Sequence, residues 1–347
     1  MRAARLHRYG PVEDQSPALV LEEVPDPRLQ APDDVIVRVA GAGVCRTDLH
    51  VLEGMFRGVM RAQLPYIPGH ENAGWVEEVG PAVRSVRRGD PVLVYPMVSD
   101  GVCFACRQGQ EMHCENGAFV GLDRDGGFAE YLLVKERNCI RLPEGFPPQD
   151  AAPLADAGLA AYHAVKRAIP LLEPGTVAVL LGFGGLGHLA YQMLRALSCA
   201  RVAVVDRSEE ARNWAREMGA DAVFPAESES AAQVMEWTQG RGARVVLDFV
   251  GEGGAPQLGW SLLGRRGTYF VVGYGDPLTV PTMELVATEK AIVGNLVGTY
   301  TELVELVHLA AQGAVRARIV RYPLEEANRA LTDLHRGRVH GRAVLIP

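Results

Sequence analysis

Two rhythms of apolar and polar residues divide the chain near residue 155. Before that point, short β-type runs are separated by Gly and Pro, as at residues 35–39, 74–79, 91–95 and 128–134. Such spacing predicts an antiparallel sheet or barrel with long loops, and loops of this kind often carry function.

From about residue 176 the pattern alternates between strand and helix. Apolar runs predict strands at 177–181, 201–206, 222–224, 244–250, 268–272 and 291–295, with helices ending at 197 and spanning 209–218. This alternation predicts an α/β fold with a doubly wound parallel sheet, whose ligands lie at the carboxyl ends of the strands. Mixed structure follows, with helices at 302–311 and 324–335 and strands at 319–322 and 343–346. We expect domains at 1–155 and 156–297, with 298–347 completing the first.

Composition and charge narrow the possible functions. The 347 residues are 48% hydrophobic, and 35 Lys+Arg against 42 Asp+Glu give a net charge of −7. This balance argues against nucleic acid or an anionic membrane as the main partner. Lysine occurs only at Lys135, Lys166 and Lys290. A thermophilic source, a GC-rich genome and sequence drift each account for the preference for Arg.

The longest uncharged segment and the cysteines both bear on where the protein is located. The uncharged run at 174–194 is long enough to span a bilayer, but Gly and His interrupt it. Six cysteines are too few for a disulfide scaffold, and three of them are bunched, which predicts metal binding in a reducing compartment. Cys139 and Cys199 are predicted to be buried packing residues. We expect a soluble cytoplasmic protein.

A glycine-rich loop directly follows the strand at 177–181 and opens a helix. Its residues are Gly182, Phe183, Gly184, Gly185, Leu186 and Gly187. Glycines at these positions permit a tight turn, close approach of the backbone to a pyrophosphate, and close packing of helix on strand. Asp206 ends the next strand, where a carboxylate binds the ribose 2′-hydroxyl and repels a 2′-phosphate, so NAD is favoured over NADP. Arg207 beside it weakens that exclusion.

Two further stretches contain residues that bind zinc. Gly43-Val-Cys45-Arg-Thr-Asp-Leu-His50 and Gly69-His70-Glu71 supply a thiolate and an imidazole. With the glycine-rich loop and a cysteine cluster after residue 100, these motifs resemble the medium-chain zinc-dependent alcohol dehydrogenases over essentially the whole chain. The resemblance implies a Rossmann cofactor domain and a mainly β, GroES-like catalytic domain.

The resemblance also implies a catalytic zinc site. Cys45 and His70 would hold the ion with a third residue, and water or Glu71 would complete the shell. Asp156 stands where the family often has Cys, and a carboxylate is an accepted zinc ligand; the alternative for Asp156 is a helix N-cap. Asp48 matches the carboxylate that accepts the free ring N–H of the histidine ligand.

A second, structural zinc is implied for the cysteine cluster. Family members with this zinc use four cysteines, and Cys103, Cys106 and Cys114 match three of them. Asp100 stands at the first position and would complete an S₃O site. His113 is an alternative ligand that we rank below Asp100, because it adjoins Cys114.

Further positions are assigned roles by the resemblance alone. Thr47 and His50 match a proton relay from the alcohol hydroxyl to a histidine near solvent. Arg46 and Arg342 match contacts to the cofactor pyrophosphate, although each is also consistent with a surface ion pair. The residues expected to line the substrate pocket, with core packing as the alternative for each, are Tyr95, Phe119 and Leu296.

The function implied is a zinc-dependent NAD alcohol dehydrogenase with two zinc ions per subunit. It would oxidise primary and secondary alcohols reversibly to aldehydes or ketones, with zinc acting on the alcohol oxygen and hydride passing to NAD. A polyol or amino-alcohol dehydrogenase of the same superfamily is the alternative. A zinc-ribbon interaction module is disfavoured by the acidic charge and the complete dinucleotide loop. The resemblance also implies a thermostable homotetramer.

Overall fold

The structure is a computed structural model that describes residues 1–12 and 18–347. The chain divides into two compact units. The first unit comprises Met1–Leu159, Thr299–Gln312 and Ala317–Pro347, and the second comprises Ala160–Gly298 and Gly313–Arg316. The boundaries expected at residues 155 and 297 lie close to those at 159 and 298. The short stretch Gly313–Arg316 belongs to the second unit, which the sequence does not predict.

Most strands of the first unit form one mixed sheet. The strands of this unit are β1 (Arg2–Leu6), β2 (Leu19–Glu23), β3 (Asp34–Val44), β4 (Glu71–Val79), β5 (Pro91–Val94), β6 (Met97–Val98), β7 (Ala118–Phe119), β8 (Tyr131–Lys135), β9 (Cys139–Arg141), β16 (Ile319–Pro323) and β17 (Arg342–Ile346). The sheet order is β16-β17-β3-β4-β5-β9, and β8 also pairs with β3. Its pairs are antiparallel as predicted, except that β16 runs parallel to β17.

The second unit has the predicted parallel sheet. Its strands are β10 (Val177–Leu181), β11 (Arg201–Asp206), β12 (Ala222–Pro225), β13 (Ala243–Asp248), β14 (Leu263–Val271) and β15 (Ala291–Gly294). The strand order is β12-β11-β10-β13-β14-β15. The chain adds strands on one side of β10 up to β12 and then, from β13, on the other side, so the order of filling reverses between β10 and β13. Crevices for nucleotides form at such a reversal. Strand β10 in the middle of the sheet is apolar throughout, and all five of its residues are buried.

Helices connect these strands. They are α1 (Arg46–Leu52), α2 (Phe104–Arg107), α3 (Pro148–Ala151), α4 (Ala157–Ala168), α5 (Gly187–Leu197), α6 (Glu209–Glu217), α7 (Ser230–Trp237), α8 (Ala255–Leu262), α9 (Thr282–Thr288), α10 (Tyr300–Ala311) and α11 (Ala327–His335). Helix α10 begins with a capping box, in which Thr299 and Glu302 satisfy each other's backbone N–H groups. The strand–helix alternation predicts helices between the strands, but it gives no bounds for α7, α8 and α9.

Several local predictions are corrected by the structure. The helix expected over 324–335 opens with a 3₁₀ turn, Leu324–Glu326, before α11 begins. The strand expected from residue 128 begins at Tyr131, because the Phe128 N–H bonds instead to the Pro68 carbonyl. Cys139 is buried as predicted, whereas the prediction for Cys199 is wrong: it is exposed in the turn before β11.

The apolar run at 174–194 is strand β10, the glycine-rich loop and most of α5. Among the residues that the structure describes, no helix is both long and apolar enough to cross a membrane.

Candidate functional site

Three distant segments of the first unit bring four ligand side chains together. Cys45 follows β3, His70 precedes β4, Glu71 begins β4, and Asp156 precedes α4. One ligand atom from each of these residues lies within 4.8 Å of the others. The Asp156 Oδ2 atom is 3.9 Å from the Cys45 sulfur and 3.4 Å from His70 Nε2. The residues of the predicted catalytic metal site are therefore neighbours.

A glycine makes room for one of these ligands. Gly43 pairs with Glu71 across β3 and β4. A Cβ atom at Gly43 would overlap the Glu71 carboxylate. The glycine in Gly-Val-Cys45 therefore allows a carboxylate to lie against the strand, a role that the sequence motif did not reveal.

Asp48 orients the histidine ligand. Its Oδ1 atom is 3.3 Å from His70 Nδ1, and its Oδ2 accepts a 2.8 Å hydrogen bond from the Cys45 backbone N–H. Burial alone lowers the pKa of His70, but the charge of Asp48 and the nearby Asp156 carboxylate outweigh it and raise that pKa. Asp48 therefore lies where the sequence predicts it, with Nε2 on the side of Cys45 and Asp156.

A buried arginine neutralises part of the negative charge. The Glu71 Oε1 atom accepts hydrogen bonds from Arg342 Nη2 at 2.6 Å and from the Ala157 N–H at 3.0 Å. Arg342 also donates to the Val44 carbonyl at 3.2 Å and is only 3% exposed. Burial raises the pKa of Glu71, although Arg342 opposes that shift. The alternative of a surface ion pair for Arg342 is thus wrong, since its ion pair is buried; its contact to the cofactor phosphate stays a prediction.

The donor set fits a zinc ion. His70 Nε2 and Glu71 Oε2 are buried and have no hydrogen-bond partner among the described residues. Buried polar atoms without partners are rare. His70 Nε2 lies 3.4 Å from Asp156 Oδ2, and Cys45 belongs to the same group of ligands. Sulfur, imidazole nitrogen and carboxylate oxygen are the usual zinc ligands.

The second cluster lies in the loop between β6 and β7. One atom from each of Asp100, Cys103, Cys106 and Cys114 lies within 4.8 Å of the others, and the sulfurs of Cys103 and Cys114 are 3.9 Å apart. Asp100 is thus placed with the thiols as predicted. His113, the lower-ranked alternative, is exposed and is not in this group.

Hydrogen bonds within the loop hold the Asp100 carboxylate. Its oxygens accept bonds from the backbone N–H groups of Val102 and Cys103 at 2.9 and 3.0 Å and from the Asn116 amide at 2.7 Å. These donors keep the pKa of Asp100 well below its usual range. An ionised carboxylate has about four acceptor sites, so three hydrogen bonds hold the group in place and leave one site for a metal.

The glycine-rich loop of the second unit connects β10 to α5. Gly182 has a φ of +90°, and a Cβ atom at Gly187 would overlap the Gly182 carbonyl. Both positions therefore require glycine. Gly184 is exposed, whereas Gly185 and Leu186 are half-buried.

Asp206 ends β11 next to this loop. Its oxygens accept bonds from the backbone N–H groups of Phe183 and Ser208, both at 2.7 Å. A cleft of about 580 Å³ is lined by Asp206, Gly182 and the exposed Arg207, and also by Glu227 and Glu252. Three of the predicted cofactor residues of this unit thus line one cleft, in which acidic side chains outnumber the single arginine.

Helix α1 carries both predicted relay residues, Thr47 and His50, and also Arg46, which is predicted to contact the cofactor. Arg46 is exposed, and Thr47 is half-buried. His50 is expected near solvent, but its side chain is buried in the structure and only 7% exposed. Helix α1, which carries His50, packs against α11.

One of the expected pocket residues lies beside the metal ligands. The ring of Phe119 meets the His70 ring edge-on, with centroids 5.9 Å apart. Tyr95 is buried and meets Tyr300 edge-on at 5.8 Å. Leu296 belongs to the second unit and is 50% exposed.

Asn138 is a supporting residue that the sequence did not reveal. Its amide donates to the carbonyls of Tyr95 and Met97 at 2.7 and 2.9 Å. Met97 pairs with Phe119 in the short β6–β7 sheet. A lone Asn after a strand gives no signal of such a role.

Comparison with known proteins gives consistent matches. Residues 31–144 match the alcohol dehydrogenase GroES-like domain, and residues 185–312 match the zinc-binding dehydrogenase domain. A D-arabinose 1-dehydrogenase (NADP(+)) from Saccharolobus solfataricus is 36% identical over 96% of this chain and 95% of its own. An NAD-dependent alcohol dehydrogenase from Sulfurisphaera tokodaii is 35% identical over all of both chains. The crystal structure of the alcohol dehydrogenase from Aeropyrum pernix has a TM-score of 0.95 and 47% identity, covering both chains fully.

These matches define an oxidoreductase with a GroES-like domain and a Rossmann domain, acting on CH–OH groups. The chain belongs to the medium-chain zinc-dependent alcohol dehydrogenases. The predicted fold class and the predicted NAD-dependent alcohol dehydrogenase function are confirmed. Zinc and NAD are supported as cofactors by the zinc-binding match and by the NAD-dependent relatives.

Proposed function

We propose that the catalytic zinc is held by Cys45, His70 and Asp156, with Glu71 or water as the fourth ligand. The observation that carries this proposal is that one ligand atom from each of the four residues lies within 4.8 Å of the others. His70 Nε2 and Glu71 Oε2 are buried there without hydrogen-bond partners among the described residues. Zinc bound there supplies Lewis acidity that lowers the pKa of an alcohol hydroxyl. Asp48 holds the His70 ring, and Arg342 offsets the Glu71 charge. We propose a second zinc at Asp100, Cys103, Cys106 and Cys114.

Thr47 is proposed to accept the hydroxyl proton and pass it toward His50. Support comes from their positions three residues apart on α1, which place them on one face of the helix. We expect Thr47→Val to lower kcat about 100-fold with unchanged zinc content, the loss typical of removing a proton-transfer group. Thr47→Ser keeps the hydroxyl and serves as the control. Unchanged turnover in Thr47→Val would remove the relay assignment.

We propose that Asp206 makes NAD the preferred cofactor. Glu227 and Glu252 line the same cleft and add to the repulsion of a 2′-phosphate. Arg207 is the single cation among the lining residues, and its charge opposes this repulsion. Steady-state kinetics with both cofactors test this, and an equal kcat/KM for NAD and NADP would refute it. We keep Arg46 and Arg342 as proposed pyrophosphate contacts.

Hydrophobic primary and secondary alcohols are the proposed substrates. The aromatic ring of Phe119 beside His70 supports an apolar pocket, and Tyr95 and Leu296 are proposed to extend it. A sugar or polyol is the second candidate, favoured by the relative named as a D-arabinose dehydrogenase. The experiment measures zinc per subunit by elemental analysis and NADH formation across simple alcohols, polyols, amino alcohols and aldoses. Two zincs with turnover of hydrophobic alcohols support the proposal, whereas one zinc or a preference for polyols or sugars contradicts the corresponding part.

A homotetramer is proposed from two exposed apolar surfaces. Strand β15 is an edge strand with Ile292 exposed, and Met283 and Val286 protrude from α9 nearby in sequence. In the first unit, Val102 and Phe104 are 63% and 72% exposed on the metal loop. Two self-complementary interfaces on one chain generate a tetramer. Native mass spectrometry tests the state: a monomer refutes both interfaces, and we expect Phe104→Asp to yield dimers.

A cytoplasmic location is proposed from the cysteines, and thermostability from the resemblance to the family. All six cysteines are free thiols, as a reducing cytoplasm allows. Thermostability is proposed from the sequence resemblance, and a thermal unfolding midpoint within or below the range of ordinary mesophilic domains, about 45–65 °C, would contradict it.

A further inference from the structure

A histidine just after the glycine-rich loop contacts the loop itself. His188 is the second residue of α5 and is 1% exposed. Its ring Nδ1 lies 2.8 Å from the Gly184 carbonyl oxygen, and its backbone N–H lies 3.3 Å from the same oxygen. Because a carbonyl only accepts, the ring nitrogen must donate, so the ring proton is on Nδ1.

Aromatic rings fix the orientation of this histidine. The His188 ring stacks on Trp214 of α6, with centroids 4.8 Å apart and planes inclined by 33°. Trp214 in turn meets Phe183 edge-on at 5.4 Å, and Phe183 is fully buried. The histidine is therefore packed between a neighbouring helix and the loop that it contacts.

The bond to Gly184 sets the direction of the next N–H group. A trans peptide group is planar, with its carbonyl and N–H pointing in opposite directions. Since the Gly184 carbonyl points into α5, the Gly185 N–H must point out of the N-terminal end of that helix. Anions are stabilised in this direction. A Cβ atom at Gly184 would meet nothing within 4 Å, so the outer side of the loop is open.

An earlier peptide group of the loop, between Gly182 and Phe183, is held by Asp206. The Phe183 N–H donates to Asp206 Oδ2 at 2.7 Å. Asp206 and His188 thus fix two peptide groups of one loop, with a single peptide group between them. The histidine fixes the one whose N–H faces outward.

We infer that His188 is a positioning residue for the dinucleotide: its Nδ1–H bond to Gly184 presents the Gly185 N–H to the cofactor pyrophosphate. The inference rests on the function as an NAD-dependent enzyme. Loss of one such hydrogen bond is expected to weaken binding of a pyrophosphate-containing ligand about fivefold to tenfold.

The test compares three variants of the full protein by isothermal titration calorimetry with NADH, ADP-ribose and adenosine. His188→Leu removes the donor, whereas His188→Asn keeps an amide N–H at the position of Nδ1. Tyr191→Phe is the matched control, because it removes a 3.0 Å bond to the Met218 carbonyl from the same helix and aromatic cluster. We expect weaker binding of NADH and ADP-ribose to His188→Leu, recovery in His188→Asn, and no change in Tyr191→Phe. Adenosine affinity, the KM for the alcohol and the zinc content should stay unchanged.

Each other outcome is decisive. Equal ADP-ribose affinity in His188→Leu and the parent overturns the inference, as does an equal loss for adenosine, which carries no phosphate. A parent protein that does not bind NADH contradicts the cofactor assignment itself. If His188→Leu fails to fold, His188→Gln replaces it, since its longer side chain carries the amide away from Gly184. Equal binding by the Asn and Gln variants then overturns the inference.

Discussion

The two metal-ligand groups of the first unit are built in opposite ways. Cys45 and Asp156 are 111 residues apart in sequence, and the cluster they form is almost wholly buried. Asp100 and Cys114 are 14 residues apart in one partly exposed loop. The first group depends on the packing of the whole unit, whereas the second is held by hydrogen bonds within its own loop.

The two aspartates show what this difference does to the same side chain. Asp156 Oδ2 faces a thiol and an imidazole. The Asp100 carboxylate already accepts three hydrogen bonds from its own loop. Packing thus leaves Asp156 available for the metal, while Asp100 also serves to shape the backbone. Loss of metal should therefore affect activity at the first site and stability at the second.

The largest effect is expected from Asp156→Asn, which removes a charged ligand at constant size. We expect kcat/KM to fall on the order of 10³-fold, because Lewis-acid assistance supplies several kcal/mol. Elemental analysis should find one zinc fewer per subunit. Asp156→Cys restores an anionic ligand and should recover most of the activity. Full activity in Asp156→Asn would exclude this residue from the catalytic site.

Cys106→Ser, in the loop group, is expected to lower the stability of the protein and to leave its activity nearly unchanged. Losing the loop zinc at a cost of about 2 kcal/mol would lower the thermal midpoint by ~4–8 °C. We expect kcat at 25 °C to change less than about twofold, since the catalytic ligands are untouched. Differential scanning calorimetry and steady-state kinetics measure the two. Cys199→Ser, at an exposed cysteine outside the group, is the control and should change neither.

Asp48→Asn weakens the support of the buried site without removing a ligand. We expect a 10- to 100-fold loss of zinc affinity or activity, the usual cost of changing a group that orients a metal ligand. Chelator competition and kcat measure it. Asp90→Asn changes another buried carboxylate of the same unit, which pairs with Arg87 and Arg141, and should spare zinc affinity. Equal effects of both changes would point to general destabilisation.

The smallest effect is expected from Asn116→Ala in the loop. It removes one of the three bonds to Asp100 and should weaken loop zinc binding by about fivefold. Catalysis should be unchanged. A large fall in kcat would contradict the separation of the two sites.

Much of the fold is predictable from local patterns, since short β-type runs and the strand–helix alternation indicate both sheets. Cys and His residues indicate part of each metal-ligand group, whereas Asp156 and Asp100 are assigned only by the resemblance to the family. The pairing of Arg342 with Glu71 is not predictable, because its partners are 271 residues apart and only strand order joins them. The burial of His50 likewise depends on tertiary packing. Asn138 and His188 act through backbone carbonyls that carry no sequence signal.

The interleaving of the chain affects the order in which the buried site is assembled during synthesis. Strand β17 lies next to β3 in the sheet, and it carries the only cation bonded to Glu71 among the described residues. At roughly 5–20 residues per second, translation from Asp156 to Arg342 takes on the order of 10–40 s. During that interval the entire second unit is synthesised, and Glu71 has no ion pair with Arg342. The nascent protein thus has time to complete its nucleotide-binding sheet before the first unit can bury its charges.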